Sequence, residues 1–209
     1  FIIVIAFNLY RGNKNKLEAN KLLNEKNLMI EKQKIEVEER NHDITNSINY
    51  AKRIQEAALP AKEIKFKLFP DAFILFIPKD IVSGDFFWYH NEEDHLSYCI
   101  ADSTGHGVPG AFVSLLAFGA LRESFELTKH KDDVNAIICA ANNQFKKTLK
   151  NNANKDSAEL GYFSLNWKTL ELKYCGFKTS LFIVRKHELF ELCGSKLIFG
   201  DQTLTQLDD

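Results

Sequence analysis

The chain has 209 residues, of which 45% are apolar, and its 27 Lys and Arg nearly balance 28 Asp and Glu to give a formal net charge of -1. This composition is that of a folded protein, and it excludes collagen-like, mucin-like and low-complexity chains. The absence of any basic block longer than two residues also argues against a nucleic-acid binder, because phosphate contacts need clustered positive charge.

The first ten residues, FIIVIAFNLY, are mostly apolar, and Arg11, Lys14 and Lys16 follow at once. A bilayer-spanning helix takes about 20 residues, so this run is too short to cross alone. The positive charges follow the apolar run, as at the cytoplasmic end of a spanning helix, whereas a signal peptide carries them in front. We therefore expect residues 1–10 to be the stub of a transmembrane helix. The alternative is a helix start that packs on its own domain.

A single long helix is predicted from Leu17 to Leu59, because the segment contains no proline until Pro60. It would be about 64 Å long at 1.5 Å per residue. One apolar row recurs every seven residues, which is the period of a coiled coil, while the row four positions later is mostly polar. This pattern favours a weak parallel homodimer, or a helix pair that keeps its register only with the help of a membrane anchor and the downstream domain. A solvated single helix is the alternative. The apolar row is Leu23, Ile30, Val37, Ile44, Ala51 and Ala58, and the second row is Asn27, Lys34, Asn41, Ile48 and Gln55.

Beyond Pro60 the pattern changes to short β-rich runs that are interrupted by two helices. The first helix, Pro109–Leu127, is apolar nearly all round and should be covered on more than one side. The second, Asp132–Leu149, has one apolar and one charged face. Hairpins, a helix pair and further hairpins indicate an α+β fold, a β-sandwich of two antiparallel sheets flanked by helices. The predicted strands are Phe73–Ile77, Phe86–Tyr89, Leu96–Ala101, Tyr162–Leu165, Thr169–Tyr174, Leu181–Arg185 and Glu188–Leu192.

Two acidic residues are predicted to face each other across the first hairpin. Asp85 precedes one strand and Asp102 follows the next, so a hairpin centred on residues 93 and 94 sets them opposite each other. Directly opposed residues have Cβ atoms about 4.5–5.5 Å apart. Two carboxylates at that distance repel unless a proton or a cation lies between them. Neither Asp has a Lys or Arg beside it, so the oxygen ligands favour a hard cation, Mg²⁺ or Mn²⁺.

The loop after Asp102 is rich in glycine, with Gly105, Gly107 and Gly110 ahead of the apolar helix. Glycine lets the backbone approach an ion and a substrate closely, and a helix N-terminus favours an anion. Such a loop beside a divalent cation suits hydrolysis of a phosphate ester, because the cation lowers the pKa of a bound water. His106 within the loop either donates a proton to the leaving group or braces the loop, and bracing is favoured.

Three segments in this order resemble the SpoIIE-type branch of the metal-dependent (PPM, protein phosphatase 2C-like) serine/threonine phosphatases. They are INYAKRIQEAALP at 48–60, PKDIVSGDFFW at 78–88 and ADSTGHGVPGAFVS at 101–114. The resemblance is strongest to bacterial membrane-anchored sensor proteins in which a helical linker precedes the phosphatase domain. It implies hydrolysis of phosphoserine or phosphothreonine on a regulatory protein such as an anti-sigma-factor antagonist. It also implies a location at the cytoplasmic face of the inner membrane.

The resemblance also assigns roles to individual residues and divides the chain into three parts. It implies a centre of two Mn²⁺ or Mg²⁺ ions, held by Asp85 and Asp102, with Ser103 lending its backbone carbonyl. Glu159 stands where the family has a further carboxylate ligand. The candidate catalytic residues are then Asp85, Asp102 and His106, and the phosphate-binding loop is Gly105 and Gly107. The expected parts are the transmembrane stub at 1–10, a signalling helix at 11–60 and a partial phosphatase domain at 61–209.

Three departures from the family pattern leave a second function open. The family's Asp-Gly-Met-Asp is replaced by DSAE at 156–159, and its Gly-Ala-Asn-Asn-Pro by GFKTS at 176–180. Its late Thr-Asp-Gly, which supplies another metal ligand, has no counterpart before Asp209, so we expect the phosphatase domain to be incomplete at its C-terminus. The alternative function is therefore a catalytically silent phosphatase-like module that binds a partner.

Two other functional classes have weaker support from the same sequence. His42 and Asp43 resemble the start of a histidine-kinase phosphoacceptor motif, but no Asn-rich and Gly-rich boxes for ATP follow them. A purely structural protein, in which the long helix dimerises and the β-rich region has no site, would explain the seven-residue repeat. That interpretation leaves the negative charges of Asp85 and Asp102 without neutralisation.

Overall fold

The computed structural model describes residues 2–60, 72–92, 94–149 and 156–201. The chain divides into two compact units, Phe1–Ser47 and Ile48–Asp209. The first unit belongs to helix α1, which runs over Ile2–Ala58 and so begins well before the predicted start at Leu17. Four residues of its seven-residue apolar row, Leu23, Ile30, Val37 and Ile44, are each more than half exposed to solvent, whereas Ala51 near the end of the helix is half-buried.

The second unit contains two antiparallel sheets and two helices. The larger sheet has four strands in the order β1-β2-β3-β4, and the smaller is the hairpin β5-β6. The prediction of an α+β fold with antiparallel sheets, preceded by a long helix, is confirmed. The strands are β1 Asp85–Glu92, β2 His95–Ser103, β3 Ala158–Asn166, β4 Glu171–Phe177, β5 Leu181–Arg185 and β6 Glu188–Leu192.

Helices α2, Gly107–Leu127, and α3, Val134–Thr148, pack on one face of the four-stranded sheet. Helix α3 begins two residues after the predicted Asp132 because the Asp133 side chain caps it, accepting a hydrogen bond from the Ala136 N–H at 2.9 Å. The core between the sheet and the helices consists of apolar side chains. They include Phe86, Trp88, Cys99, Leu160 and Tyr162 from the strands and Phe118, Leu121, Phe125, Ile137, Ile138 and Phe145 from the helices.

Helix α2 contacts both the sheet and α3, as its all-round apolar sequence predicted. Among the residues that the structure describes, it is the one helix long and apolar enough to cross a bilayer. Its buried residues, among them Ala117, Leu121 and Phe125, belong to the core. The apolar character of α2 is therefore explained by packing on two sides.

The strand predicted at Phe73–Ile77 is wrong, because residues 72–78 are described without regular secondary structure. Phe73, Leu75 and Ile77 are largely exposed, whereas the Phe76 ring packs edge-to-face on Phe87 with the ring centroids 6.0 Å apart. The segment thus lies over the sheet face opposite the helices. The run FILFI at 73–77 is apolar at every position, but within the described residues it has no place in a hydrogen-bonded ladder.

Candidate metal centre

Asp85, the first residue of β1, lies directly opposite Asp102 of β2, so the predicted hairpin register is confirmed. Their inner neighbours Phe86 and Ala101 are buried under the helices, which places both carboxyl groups on the opposite face of the sheet. The pKa of Asp85 is raised to about 6, chiefly by burial and further by a hydrogen bond with Asp102 and by the negative charge of Asp102. A hydrogen bond between two carboxyl groups needs a proton on one of them. Without a cation, the pair therefore shares a proton below about pH 6 and places two negative charges side by side above it.

Glu159 of β3 is in register with Asp102, so three carboxylates form a row across β1, β2 and β3. The Glu159 carboxylate forms an ion pair with Lys178, with Oε1 and Nζ 3.8 Å apart. Within the described ranges, no group of three or more His, Cys, Asp and Glu side chains lies close enough together to hold a metal ion. The row thus consists of a close pair, Asp85 and Asp102, and a third carboxylate that has a basic partner.

The turn before β1 is closely packed against the glycine-rich loop. The Asp85 N–H donates to Ser83 Oγ at 3.0 Å, and the Ser103 N–H donates to the Gly84 carbonyl at 3.3 Å. A Cβ at Gly84 would lie 2.9 Å from the Gly105 carbonyl oxygen and 3.2 Å from that of Ser103, so glycine is needed for this approach. The Ser103 carbonyl is thereby held beside the Asp85 turn, where the family resemblance places a backbone ligand.

The loop itself bends through two glycines in the left-handed region, Gly105 with φ +90° and Gly107 with φ +63°. Helix α2 begins at Gly107, and its N-cap residue His106 makes no side-chain capping bond. The His106 ring is exposed and its Nδ1 lies 2.9 Å from Asp80 Oδ2. Sequence reasoning did not identify Asp80, although Asp80 lies in the PKDIVSGDFFW segment.

Gln55 of α1 also contacts the turn before β1. Its Nε2 donates to the Ser83 carbonyl at 2.6 Å and to Ser114 Oγ at 3.1 Å, and its Oε1 accepts from the Ser83 N–H at 3.1 Å. The heptad pattern assigned Gln55 to the polar row of the rod, but only 4% of its surface is exposed. The one signal in the sequence for a role of Gln55 is its place in the segment INYAKRIQEAALP at 48–60, which resembles the family.

A cleft of about 350 Å³ opens beside the acidic pair on this face of the sheet. Its floor carries Asp85, Asp102 and Glu159, and residues 74–77 form one apolar wall. No lysine or arginine in the described part of the chain forms an ion pair with Asp85 or Asp102. The cleft therefore combines unneutralised carboxylates with apolar surface that an extended peptide could contact.

Comparison with known families matches residues 92–208, more than half of the chain, to stage II sporulation protein E (SpoIIE). Among solved structures, the chain is similar to the SiaA-PP2C domain of Pseudomonas aeruginosa, with 30% identity and a TM-score of 0.67 over 77% of this chain and 64% of that chain. It is also similar to the PP2C phosphatase domain, with a fragment of the regulatory domain, of the cell fate determinant SpoIIE from Bacillus subtilis (17% identity, TM-score 0.47, 61% of this chain and 36% of that chain).

A third similar structure contains the RsbU and RsbW domains of Rv1364c from Mycobacterium tuberculosis, at 21% identity and a TM-score of 0.47 over 60% of this chain and 35% of that chain. The chain thus spans less than two thirds of each of these three structures. Comparison with curated protein sequences gives no match.

Proposed function

Because the chain belongs to the SpoIIE family of PPM, protein phosphatase 2C-like, phosphatases, we propose that it hydrolyses phosphoserine or phosphothreonine on a regulatory protein. The observation that carries the proposal is the facing pair Asp85 and Asp102, which lie in register on adjacent strands and line an open cleft. The substrate class, an anti-sigma-factor antagonist or a similar regulator, follows from the family resemblance.

The residues around the pair fit a divalent cation of the Mn²⁺ or Mg²⁺ type. Their donors are carboxylate and carbonyl oxygens, which are the ligands that hard cations prefer. The raised pKa of Asp85 reflects in part the repulsion by Asp102, which a bound cation would relieve. Asp85, Asp102 and the Ser103 carbonyl would hold such a cation, and Glu159 would join them on release from Lys178. When bound, the cation activates water and neutralises charge on the phosphoryl group.

The loop that follows Asp102 supplies the remaining groups. The first N–H groups of α2 have no partner in the helix, and the N-cap side chain does not satisfy them, so they can bind phosphate oxygens at Gly107. Asp80 accepts a hydrogen bond from His106 Nδ1, which orients the ring and leaves Nε2 free to carry a proton to the departing serine or threonine oxygen. Here the Asp80 contact gives His106 a role in proton transfer beyond bracing.

The N-terminal helix supports two further parts of the proposal. The exposed row with a seven-residue period suits a homodimer of parallel helices. The apolar start of the helix with the basic residues after it suits an anchor at the cytoplasmic face of a bacterial inner membrane. The phosphatase domain would then be the output of a membrane signalling protein.

The test is phosphate release from a phosphoserine peptide as Mn²⁺ is added. We expect hydrolysis to depend on Mn²⁺ and to fall at least about a hundredfold in Asp102→Asn, because a Lewis-acid contribution is worth several kcal/mol. Asp94→Asn is the matched control, since Asp94 lies at the other end of the same hairpin and pairs with Lys168. Unchanged turnover in Asp102→Asn, or hydrolysis without any divalent cation, would refute the proposal.

One observation favours the second candidate, a catalytically silent module. The Glu159 carboxylate is paired with Lys178, which lies in the GFKTS segment that departs from the family pattern. A silent module would bind no Mn²⁺ through Asp85 and Asp102. Calorimetric titration of the wild-type chain and of Asp102→Asn separates the two candidates.

A further inference from the structure

We infer that Gln55 is a positioning residue of the proposed phosphatase site, because its side-chain amide fixes the turn that presents the Asp85 carboxylate. The inference rests on the proposed function and goes beyond it by assigning a role at the site to the N-terminal helix. Gln55 does not reach the substrate or the cation, and it acts through the backbone of Ser83.

The first observation is the burial of Gln55. Over the whole described range of α1, Ile2–Ala58, Gln55 is the one buried residue. Its neighbours Arg53, Ile54 and Glu56 are exposed, so the helix end buries an amide and not an aliphatic side chain at this position. A buried amide is costly unless it is hydrogen-bonded, and this side chain has partners for both its nitrogen and its oxygen.

The second observation is the pairing with Ser83. The Gln55 amide accepts from the Ser83 N–H and donates to the Ser83 carbonyl, so both backbone groups of one residue are bound by one side chain. Two such bonds restrict both the position and the tilt of the peptide units at residue 83. Loss of the amide would leave a buried N–H and a buried carbonyl without these bonds.

The third observation is the connection from Ser83 to Asp85. Ser83 Oγ accepts the Asp85 N–H, and Ser114 Oγ of α2 lies within hydrogen-bond distance of both Gln55 Nε2 and the Ser83 carbonyl. The network therefore joins the last turns of α1, the turn before β1 and the first turns of α2. Since the Asp85 carboxylate must face Asp102 to share a cation, a small shift of this turn would weaken binding of the cation.

The experiment measures the Mn²⁺ dissociation constant, kcat and KM in the full chain. Gln55→Met keeps the length and volume of the side chain but removes the amide. We expect Mn²⁺ affinity to fall by about tenfold or more, the usual effect of removing a group that orients a metal ligand. The KM for a phosphoserine peptide at saturating Mn²⁺ should stay near that of the wild type, because Gln55 is not placed in the peptide cleft.

Two controls separate positioning from a general loss of stability. Arg53→Ala changes an exposed residue of the same helix turn and should leave Mn²⁺ affinity unchanged. Ile138→Val removes a buried methyl group of α3, away from the turn, and should lower resistance to urea without changing Mn²⁺ affinity. Ser114→Ala removes one partner of Gln55 and should give a smaller loss of Mn²⁺ affinity, which decides the question if Gln55→Met does not fold.

Wild-type Mn²⁺ affinity in Gln55→Met, or in Ser114→Ala where the first variant does not fold, would overturn the inference even if resistance to urea falls. A wild-type chain that takes up no Mn²⁺ and releases no phosphate would refute the proposed function itself, and this inference with it. Loss of Mn²⁺ affinity in Gln55→Met together with wild-type affinity in both Arg53→Ala and Ile138→Val would support it.

Discussion

Replacing Asp102 with Asn is expected to stabilise the metal-free fold at neutral pH while removing its response to Mn²⁺. The pKa of Asp85 is raised from 3.8 to about 6. The folded state therefore binds a proton more tightly than the unfolded state does. Stability falls as the pH rises from about 4 to about 6, and the penalty is complete above that range.

The size of the effect follows from the same pKa. Raising the pKa from 3.8 to about 6 corresponds at most to about 3 kcal/mol, and solvent screening makes it smaller for this partly exposed carboxyl group. Burial is the largest cause of the raised pKa, and it persists in the variant. Solvent screens the smaller contribution that comes from Asp102. We therefore expect Asp102→Asn to raise the free energy of unfolding by about 1 kcal/mol at pH 7.5 and to have little effect at pH 4.

The assay is urea denaturation with a chelator at pH 4, 5, 6 and 7.5, repeated with Mn²⁺ at neutral pH. Mn²⁺ at one hundred times its dissociation constant should stabilise the wild type by about 2.7 kcal/mol and the variant far less. Asp94→Asn should show no gain that grows with pH. An Asp102→Asn protein that is less stable than the wild type at pH 7.5 without metal would contradict the repulsion between the two carboxylates.

Two other predictions concern the glycine-rich loop and Asp80, which contacts His106 of that loop. In Gly110→Ala, the new Cβ would lie 2.5 Å from the Gly105 carbonyl oxygen, so the free energy of unfolding should fall by about 1–3 kcal/mol and phosphate release should be lost. In the control Gly119→Ala, the new Cβ would have nothing within 4 Å, so the free energy of unfolding measured in urea should rise. Equal changes in the free energy of unfolding of the two variants would contradict the packing argument. Asp80→Asn should slow hydrolysis of a phosphoserine peptide more than that of an aryl phosphate, because the aryl leaving group needs no proton from His106. Equal losses of rate with the two substrates would contradict a role of His106 in proton transfer.

The hairpin register was predictable because two local signals agreed. A polar turn lies between two β-rich runs, and the turn centre fixes which residues oppose each other. The residues Asp85 and Asp102 therefore came together as expected from the sequence. Strands β5 and β6 also match their predicted bounds, since the charged residues Arg185 and Glu188 mark where the first run ends and the second begins.

The contacts of Gln55 and Asp80 could not be predicted from the sequence. Gln55 bonds to Ser83, 28 positions away, and His106 to Asp80, 26 positions away. Periodicity describes which face of an element a residue occupies, but not which distant turn that face meets. The same limit explains the wrong strand at 73–77, whose continuous apolar run suits a strand but has no ladder to join within the described residues.

The most direct test of the metal centre is Mn²⁺ uptake, measured by titration calorimetry on the wild type, Asp85→Asn and Asp102→Asn at one pH. We expect saturable uptake by the wild type and its loss in both variants, while their circular dichroism stays that of a folded protein. Equal Mn²⁺ uptake by all three proteins would contradict it.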